Sequence, residues 1–493
     1  MLTATSPAYA KLRYPLLGLL ICLFCIPTPT LTQAIMRIGL LLVAAYLLFC
    51  NTKTETSSQR FIQALIVAGL ILRIGYMLYT TAFIRGHDLG EASIDGRGHA
   101  SYILILLDSH KLPQDYRTQH YQQPFYYVVA AAVSWVLNTL RGTADDPRQL
   151  IEGAKPVSCF ASCAVLLMLP ALCKELKLPD KAVPIAVAVI AFFPNFFLLA
   201  GRVGPDALSI LLMMLAFLYT LRWFRTPTWK LTILLALLYG LAISTKISCA
   251  VFAVFTGILM LVRLVRAKRQ KQAGPLVCKL CVFGAISLPL GMWYSIRNLV
   301  RFGQPIGYVL RMSESSDLYC GDRSFVHRFL SFSFKELFRT PYGNAFKDSN
   351  YPLYLLKTSM FGEFRYDISP VIPSMLLFVN ILLATATVAS LFYVIGWSKL
   401  PRLTRFGMTG LWILLYLSSI SFNITYPFGC TMDFRYIVPT AVFGAICLGI
   451  AYADSCACTA GGRKQKLASC VRIGLPILIT CFAFLSAFMY TLI

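Results

Sequence analysis

Long apolar stretches, separated by short charged connections, dominate this sequence. Many of them approach the ~20 residues that a helix needs to cross a bilayer. An apolar run of this kind predicts a membrane-spanning helix, because a helix satisfies its own backbone hydrogen bonds where no water is available. The pattern predicts about thirteen spans, at 14–30, 33–50, 61–84, 156–173, 183–200, 206–222, 231–246, 248–265, 276–296, 371–396, 406–423, 435–453 and 470–490. Pro27 and Pro29 interrupt the first run, so the first two spans could instead be one hairpin or lie at the periphery.

Basic residues orient these spans. Alternate connections are short and rich in Lys and Arg, as in the run from Arg263 to Lys271, which places them in the cytoplasm together with the N-terminus. The same alternation places two long connections, 85–155 and 298–370, outside the membrane. Within the first of these, we expect interfacial helices near 98–111 and 123–140.

The predicted fold is therefore an all-α polytopic membrane protein with two large extracytoplasmic loops. We divide it into two N-terminal membrane helices (1–60), a transmembrane core that includes the first outer loop (61–297), the second outer loop (298–370) and C-terminal membrane helices (371–493). No internal repeat, P-loop or dinucleotide-binding glycine pattern is present, which argues against an ATP-driven pump.

Composition supports the membrane assignment. The chain has 493 residues, of which 57% are hydrophobic and 13% charged, whereas soluble domains carry about 25% charged residues. The net charge of +24 does not indicate nucleic-acid binding, because the basic residues lie in short clusters between apolar runs. Most of the 16 cysteines lie inside apolar runs. Only Cys320 and Cys430 fall clearly in outer loops, where a disulfide between them is one option.

The first outer loop concentrates groups that could perform chemistry. Directly after a span, the stretch 87–99 contains three carboxylates and two imidazoles: His87, Asp88, Glu91, Asp95 and His99. Carboxylates held just above a bilayer can deprotonate a hydroxyl group, ligate a metal ion or bind an amine. The alternative is a solvated loop whose charges only avoid lipid.

Other polar residues stand at the outer ends of spans. Lys246 and Arg297 each follow an apolar run, and Arg435 begins one, so all three could bind a phosphate or serve as interfacial anchors. Asp206 could cap its helix or act as a second active-site carboxylate. Arg73 lies in the middle of a span, where structural pairing is the favoured interpretation.

Six motifs resemble those of GT-C glycosyltransferases, in the order expected for that superfamily. The nearest group is that of the protein O-mannosyltransferases and the aminoarabinose transferases that modify lipid A. The motifs, which span 61 to about 455, are the acidic loop followed by Gly98-His99 and Tyr102-Ile103, Gln123-Pro124-Phe125-Tyr126-Tyr127, Gly204-Pro205-Asp206, Ser244-Thr245-Lys246, Arg297-Asn298, and Asp433-Phe434-Arg435-Tyr436.

The resemblance implies transfer of a sugar from a polyprenyl-phosphate donor at the outer face of the membrane, in a bacterial plasma membrane. It implies a loop aspartate as base, with inversion at the anomeric carbon. The implied roles are catalytic for Asp88, Asp95 and His87, phosphate-binding for Lys246, Arg297 and Arg435, and supporting for Glu91, His99, Tyr102, Gln123, Tyr126, Asp206 and Asn298. No cofactor is assigned, and a divalent metal stays open because related enzymes differ in metal use. The acceptor is left open between protein, lipid and glycan.

This sequence departs from the family pattern in two places. The usual Asp-Glu pair is absent, since Leu89 follows Asp88 and Gly96 follows Asp95, and the usual Pro-Pro is Gln123-Pro124. Asp88 is favoured as the base because it lies nearest the helix end, and Asp95 remains the alternative. Two other functions stay open: a transporter or flippase of lipid-linked glycan, and a GT-C scaffold without catalytic activity. A polymerase or ligase of surface polysaccharide is less favoured, because the resemblance in 85–127 points elsewhere.

Overall fold

The computed structural model describes residues 15–22, 30–49, 55–116, 118–271, 273–459 and 461–493. A short helix occupies 15–22. The helices that follow are α1 Leu31–Phe49, α2 Glu55–Tyr79, α3 His99–Ser109, α4 Phe125–Arg141, α5 Pro147–Glu152, α6 Lys155–Glu175, α7 Ala182–Ala191, α8 Pro194–Ala200 and α9 Asp206–Arg225. The chain continues with α10 Trp229–Thr245, α11 Ala250–Arg269, α12 Ala273–Phe302, α13 Phe334–Arg339, α14 Tyr351–Phe361, α15 Val371–Gly396, α16 Arg402–Thr425, α17 Pro439–Ala457 and α18 Arg463–Tyr490.

These helices make the chain an all-helical, multi-pass membrane protein. Within the described ranges, ten helices are long and apolar enough to cross a membrane, or eleven if the bent pair α7 and α8 is one span. The predicted count of about thirteen is therefore too high for this part of the chain. The span predicted at 231–246 is α10, which has only 17 residues, and the span predicted at 14–30 lies partly outside the described residues.

The chain folds into two compact units. The first contains residues up to Tyr79, Leu166–Leu198 and Ser313–Ile493, and the second contains Thr80–Val165 and Leu199–Met312. Helix α7 lies in the core of the first unit, where α2, α17 and α18 pack around it. Small residues permit this close packing: a side chain at Gly69 would approach the Ala191 Cα at 3.0 Å.

The predicted span 183–200 is broken between α7 and α8. The two helices are bent by 50°, because Pro194 has no N–H for an intrahelical hydrogen bond and begins a new helix. The break leaves backbone carbonyls inside an apolar core, and Arg73 compensates for two of them. Its Nη1 donates to Ala191 O at 3.0 Å and its Nη2 to Ile190 O at 2.8 Å. Arg73 thus has the structural pairing that the sequence favoured.

The two cysteines predicted to lie in outer loops, Cys320 and Cys430, belong to the first unit and are not joined by a disulfide. Their segments are neighbours, since the Cys320 N–H donates to Pro427 O at 2.9 Å and an isolated antiparallel bridge pairs Tyr319 with Phe428. Backbone hydrogen bonds therefore connect these two segments, without the disulfide that was one option from the sequence.

The second unit contains α10 packed tightly against α12. A side chain at Gly240 on α10 would meet Leu290 Cδ2 at 2.7 Å, and one at Gly291 on α12 would meet Ile243 Cβ at 3.0 Å. Reciprocal glycines of this kind allow two helices to approach closely where no water drives their association. Helix α4 packs against α10, and α3 packs against α4.

Candidate active site

Backbone hydrogen bonds hold Asp88 beside the first turn of α3. Asp88 O accepts the His99 N–H, and Leu89 O accepts the Ala100 N–H, each at 2.9 Å. Two of the N–H groups that begin α3 thereby gain partners. Asp88 itself has a φ of +53°, a left-handed conformation that aspartate tolerates better than most residues. Gly98, with a φ of +104°, leaves room for this contact, because a Cβ there would lie 2.3 Å from Asp88 O.

The Asp88 carboxylate lies in a recess. Its side chain is 44% accessible, yet enough protein surrounds it for burial to raise its pKa above the ordinary value of 3.8. The charges of Arg202 and Lys246 act in the opposite direction, as does that of His99 when its ring is protonated, while that of Asp206 adds to the increase. A carboxylate that solvent can reach, but whose charge is poorly solvated, suits a general base that must accept a proton.

His99 is buried and held by a hydrogen-bonded chain. Its Nδ1 lies 2.7 Å from the Tyr127 hydroxyl, and that hydroxyl donates to Gln122 Oε1 at 3.2 Å. Because the hydroxyl has one proton and donates it to Gln122, His99 must donate from Nδ1, which leaves Nε2 as an acceptor. Burial lowers the pKa of His99, so the ring is neutral at neutral pH. Both Asp88 and His99 can therefore accept a proton in this recess.

Lys246 and Asp206 form an ion pair. Lys246 lies just beyond the C-terminus of α10, and Asp206 begins α9. The Lys246 Nζ donates to Asp206 Oδ1, and the side chains are 21% and 15% accessible. Asp206 therefore holds Lys246 in place, the lysine for which the resemblance implies phosphate binding.

Arg202 is a cation that sequence reasoning missed. It is buried, lies four residues before Asp206, and is close enough to Asp88 for its charge to lower the pKa of that carboxyl. Asp88 and Asp206 thus face Arg202 and Lys246, so the cluster is close to neutral when both carboxylates are ionised. The sequence feature that could have indicated Arg202 is its position just before the Gly204-Pro205-Asp206 motif.

Arg297 contacts the protein rather than an open space. Its Nη1 donates to Asn298 Oδ1 at 3.0 Å and its Nη2 to Pro113 O at 2.8 Å, while the guanidinium lies 5.2 Å from the centre of the Tyr294 ring. These contacts fasten α12 to the segment between α3 and α4. In this geometry Arg297 joins two segments of the second unit, and Asn298 is one of its partners.

A Ser-His-Asp chain, buried at its serine and histidine, supports the same region and was also missed. Asp115 Oδ1 lies 2.5 Å from His120 Nδ1, and His120 Nε2 lies 2.8 Å from Ser101 Oγ. Tyr102 packs its ring edge against His120 and stacks on Tyr127 at 3.9 Å. Ser101 is fully buried, so the chain orders the first turn of α3 rather than offering a nucleophile.

The remaining residues named from the sequence have three kinds of surroundings. Gln123 and Tyr126 connect segments of the second unit, since Gln123 Nε2 donates to Ser295 Oγ at 2.6 Å and the Gly204 N–H donates to the Tyr126 hydroxyl at 2.8 Å. His87 lies beside Asp88, with Nε2 3.7 Å from Oδ2. Glu91 and Asp95 are exposed on the loop. Between the two candidate bases, only Asp88 belongs to the charged cluster.

Arg435 belongs to the first unit. Its backbone N–H donates to Asp433 Oδ1 at 3.0 Å, and its Nη2 donates to the Tyr436 hydroxyl at 3.1 Å. In the same unit, carboxylate oxygens of Glu363 and Asp433 lie within 4.8 Å of each other. Two carboxylates at this separation could share a divalent cation.

An apolar groove runs along the second unit beside the cluster. It has a volume of about 750 Å³, within the range of ligand-binding cavities. Helix α4 contributes to both places: Phe125 lines the groove, whereas Tyr126 and Tyr127 are buried in the cluster. The polar exceptions in the lining include His110, Lys111 and Ser244, and its apolar residues include Leu106, Val128, Trp135, Leu241, Leu290 and Trp293.

Comparison with known protein families gives no match for this chain, and no curated protein has a matching sequence.

Proposed function

We propose that this protein is a membrane glycosyltransferase that moves a sugar from a polyprenyl-phosphate donor to an acceptor at the outer face of the membrane. The observation that carries the proposal is the position of Asp88, accessible within a recess and within electrostatic reach of His99, Arg202 and Lys246. A base that can accept a proton and two cations that can stabilise a leaving phosphate suit a displacement at a sugar phosphate.

In the proposed reaction, the acceptor oxygen attacks the anomeric carbon and forms the new glycosidic bond. The bond between that carbon and the phosphate oxygen breaks, and the electron pair stays on the leaving phosphate. Asp88 takes the acceptor proton, and a single displacement inverts the anomeric carbon. Arg202 and Lys246 stabilise the negative charge on the leaving phosphate, with Asp206 keeping Lys246 in place.

The groove supports a lipid-linked donor. An isoprenoid chain has no hydrogen-bonding groups, so it would fit a cavity whose lining is almost entirely apolar. Lys111 and His110 add basic groups to that lining, which suits a lipid whose headgroup is a phosphate. A nucleotide sugar would leave this surface empty, so we favour the lipid donor.

The donor class can be tested directly. The purified full chain, reconstituted in liposomes, would be incubated with radiolabelled sugars carried either on polyprenyl phosphates or on nucleotides. We expect label to leave only the lipid-linked donors, to an added acceptor or more slowly to water. Turnover of nucleotide sugars would contradict the donor class. Binding of polyprenyl phosphates without turnover of any lipid-linked sugar would favour the non-catalytic scaffold, and movement of intact donor across the bilayer would favour a flippase.

A further inference from the structure

The rings of Tyr121 and Tyr308 contact each other edge to face in the second unit, and we call this pair the aromatic corner. Tyr121 ends the 3₁₀ helix Thr118–Tyr121, and Tyr308 follows α12 along the chain. Their ring centroids are 5.4 Å apart, with an angle of 83° between the ring planes. Both side chains are partly exposed, so the pair is not simply part of the packed core.

A tight turn brings Tyr308 to this position. Gly303 and Gly307 have φ values of +65° and +80°, in a backbone region that glycine adopts without steric strain. The Tyr308 N–H donates to Pro305 O at 3.0 Å and closes the turn. Because the rings of Tyr121 and Tyr308 are in contact, this turn fixes the position of Tyr308 beside Tyr121.

The corner lies near the candidate base. Burial first, and then the negative charge of Asp88, raise the pKa of Tyr121 to about 12. Tyr121 directly precedes Gln122, whose Oε1 accepts from the Tyr127 hydroxyl at 3.2 Å, and that hydroxyl lies 2.7 Å from His99 Nδ1. A group bound at the corner would thus be close to both proton acceptors of the recess.

An amide without partners lies in the same turn. Gln304 is only 5% exposed, and within the part of the chain that the structure describes, neither its Oε1 nor its Nε2 has a hydrogen-bond partner. A buried amide in this state favours any ligand that offers both a donor and an acceptor. Two neighbouring hydroxyl groups on a ligand offer both a hydrogen-bond donor and an acceptor.

From this geometry we infer that the corner between Tyr121 and Tyr308 binds a pyranose ring beside Asp88, with Gln304 available to its hydroxyl groups. The C–H face of a sugar is apolar and slightly positive, so it pairs with the negative face of an aromatic ring, while the hydroxyl groups need amides. The inference rests on the proposed function, because it concerns the sugar at that same site. It adds that Tyr308 and Gln304 of the turn 303–310 contact this sugar together with Tyr121.

The inference can be tested by binding, without turnover. Saturation-transfer difference NMR would be recorded on the detergent-purified full chain with a panel of methyl pyranosides. We expect at least one pyranoside to receive saturation at its C–H protons. Tyr308→Phe should retain this signal because the ring face remains, and Tyr308→Ala should weaken it roughly threefold to tenfold. Absence of binding to the wild type, or equal signals for Tyr308→Ala, would overturn the inference.

Tyr116→Ala is the matched control. Tyr116 is also a partly exposed tyrosine, 46% accessible, and also contacts the end of α12, with its ring 5.6 Å from that of Phe302. We expect its loss to leave the NMR signal unchanged. Thermal unfolding of each variant in the same detergent would show whether it is folded.

A parallel transfer assay separates this inference from the proposed function. If the corner binds the donor sugar, Tyr308→Ala should raise the KM for the lipid donor roughly threefold to tenfold, with kcat within about twofold of the wild type. If it binds the acceptor sugar, the same change should appear in the acceptor KM. Transfer with both KM values unchanged would refute sugar binding at the corner but not the proposed transferase activity. Pyranoside binding that depends on Tyr308, without any transfer, would refute the proposed transferase activity but not sugar binding at the corner.

Discussion

The ion pair of Lys246 and Asp206 makes a prediction about both stability and catalysis. Pairs exposed on a surface contribute about 0.2–1 kcal/mol, and breaking a fully buried pair costs about 3–5 kcal/mol. With side chains 21% and 15% accessible, this pair falls between the two cases. We expect Lys246→Met or Asp206→Asn each to lower the free energy of unfolding by roughly 1–3 kcal/mol, with a coupling energy of about 1–2 kcal/mol in the double variant.

The two substitutions should have opposite effects on the pH dependence of turnover. The charge of Asp206 raises the pKa of Asp88, and the charge of Lys246 lowers it. A general base must be ionised, so activity falls as the pH drops through its pKa. Asp206→Asn should therefore move the acid limb of kcat/KM to lower pH, and Lys246→Met should move it to higher pH.

Both readouts would be made on the same detergent preparations, by unfolding curves and by pH–rate profiles. Lys230→Met is the control, because it removes an exposed lysine from the other end of α10. Additive losses of stability would contradict an energetic coupling between the two residues. Acid limbs that move in the same direction would contradict their opposite effects on Asp88.

Three further results are expected. Arg73→Met should lower the free energy of unfolding by about 2–5 kcal/mol, because carbonyls in the apolar core lose their donors; an unchanged thermal unfolding curve would refute this, and Arg73→Lys should recover part of the loss. For the wild type, the acid limb of kcat/KM should lie above the ordinary aspartate pKa of 3.8, because burial raises the pKa of Asp88; a limb at or below that value would contradict Asp88 as the base. Asp115→Asn should cost about 1–3 kcal/mol of stability by disturbing the hydrogen bond to His120, and unfolding curves identical to the wild type would count against the buried chain.

The membrane spans were largely predictable, because hydropathy is a local property of the chain. Eleven of the predicted spans overlap helices, or the bent pair, that can cross a membrane. The break between α7 and α8 was not anticipated, although Pro194 signalled it, because the run 183–200 is apolar apart from Asn195. What allows the break is Arg73, more than a hundred residues away in sequence, and no local pattern reveals that contact.

The charged cluster was predictable only in part. Asp88, Asp206 and Lys246 were all named from motifs, and the structure brings them within electrostatic reach of one another. The choice between Asp88 and Asp95 depended on which backbone carbonyl accepts the first N–H of α3, a contact that residue types do not encode. Arg202 escaped notice because its importance comes from its distance to Asp88.

The most direct test compares Asp88→Asn with Asp95→Asn in transfer from the lipid-linked donor. Each change removes one negative charge from the same loop and keeps the side-chain shape. We expect Asp88→Asn to lower kcat by about 10²-fold or more, and Asp95→Asn to stay within about threefold of the wild type. Wild-type turnover by Asp88→Asn would contradict the role of this carboxylate as the base.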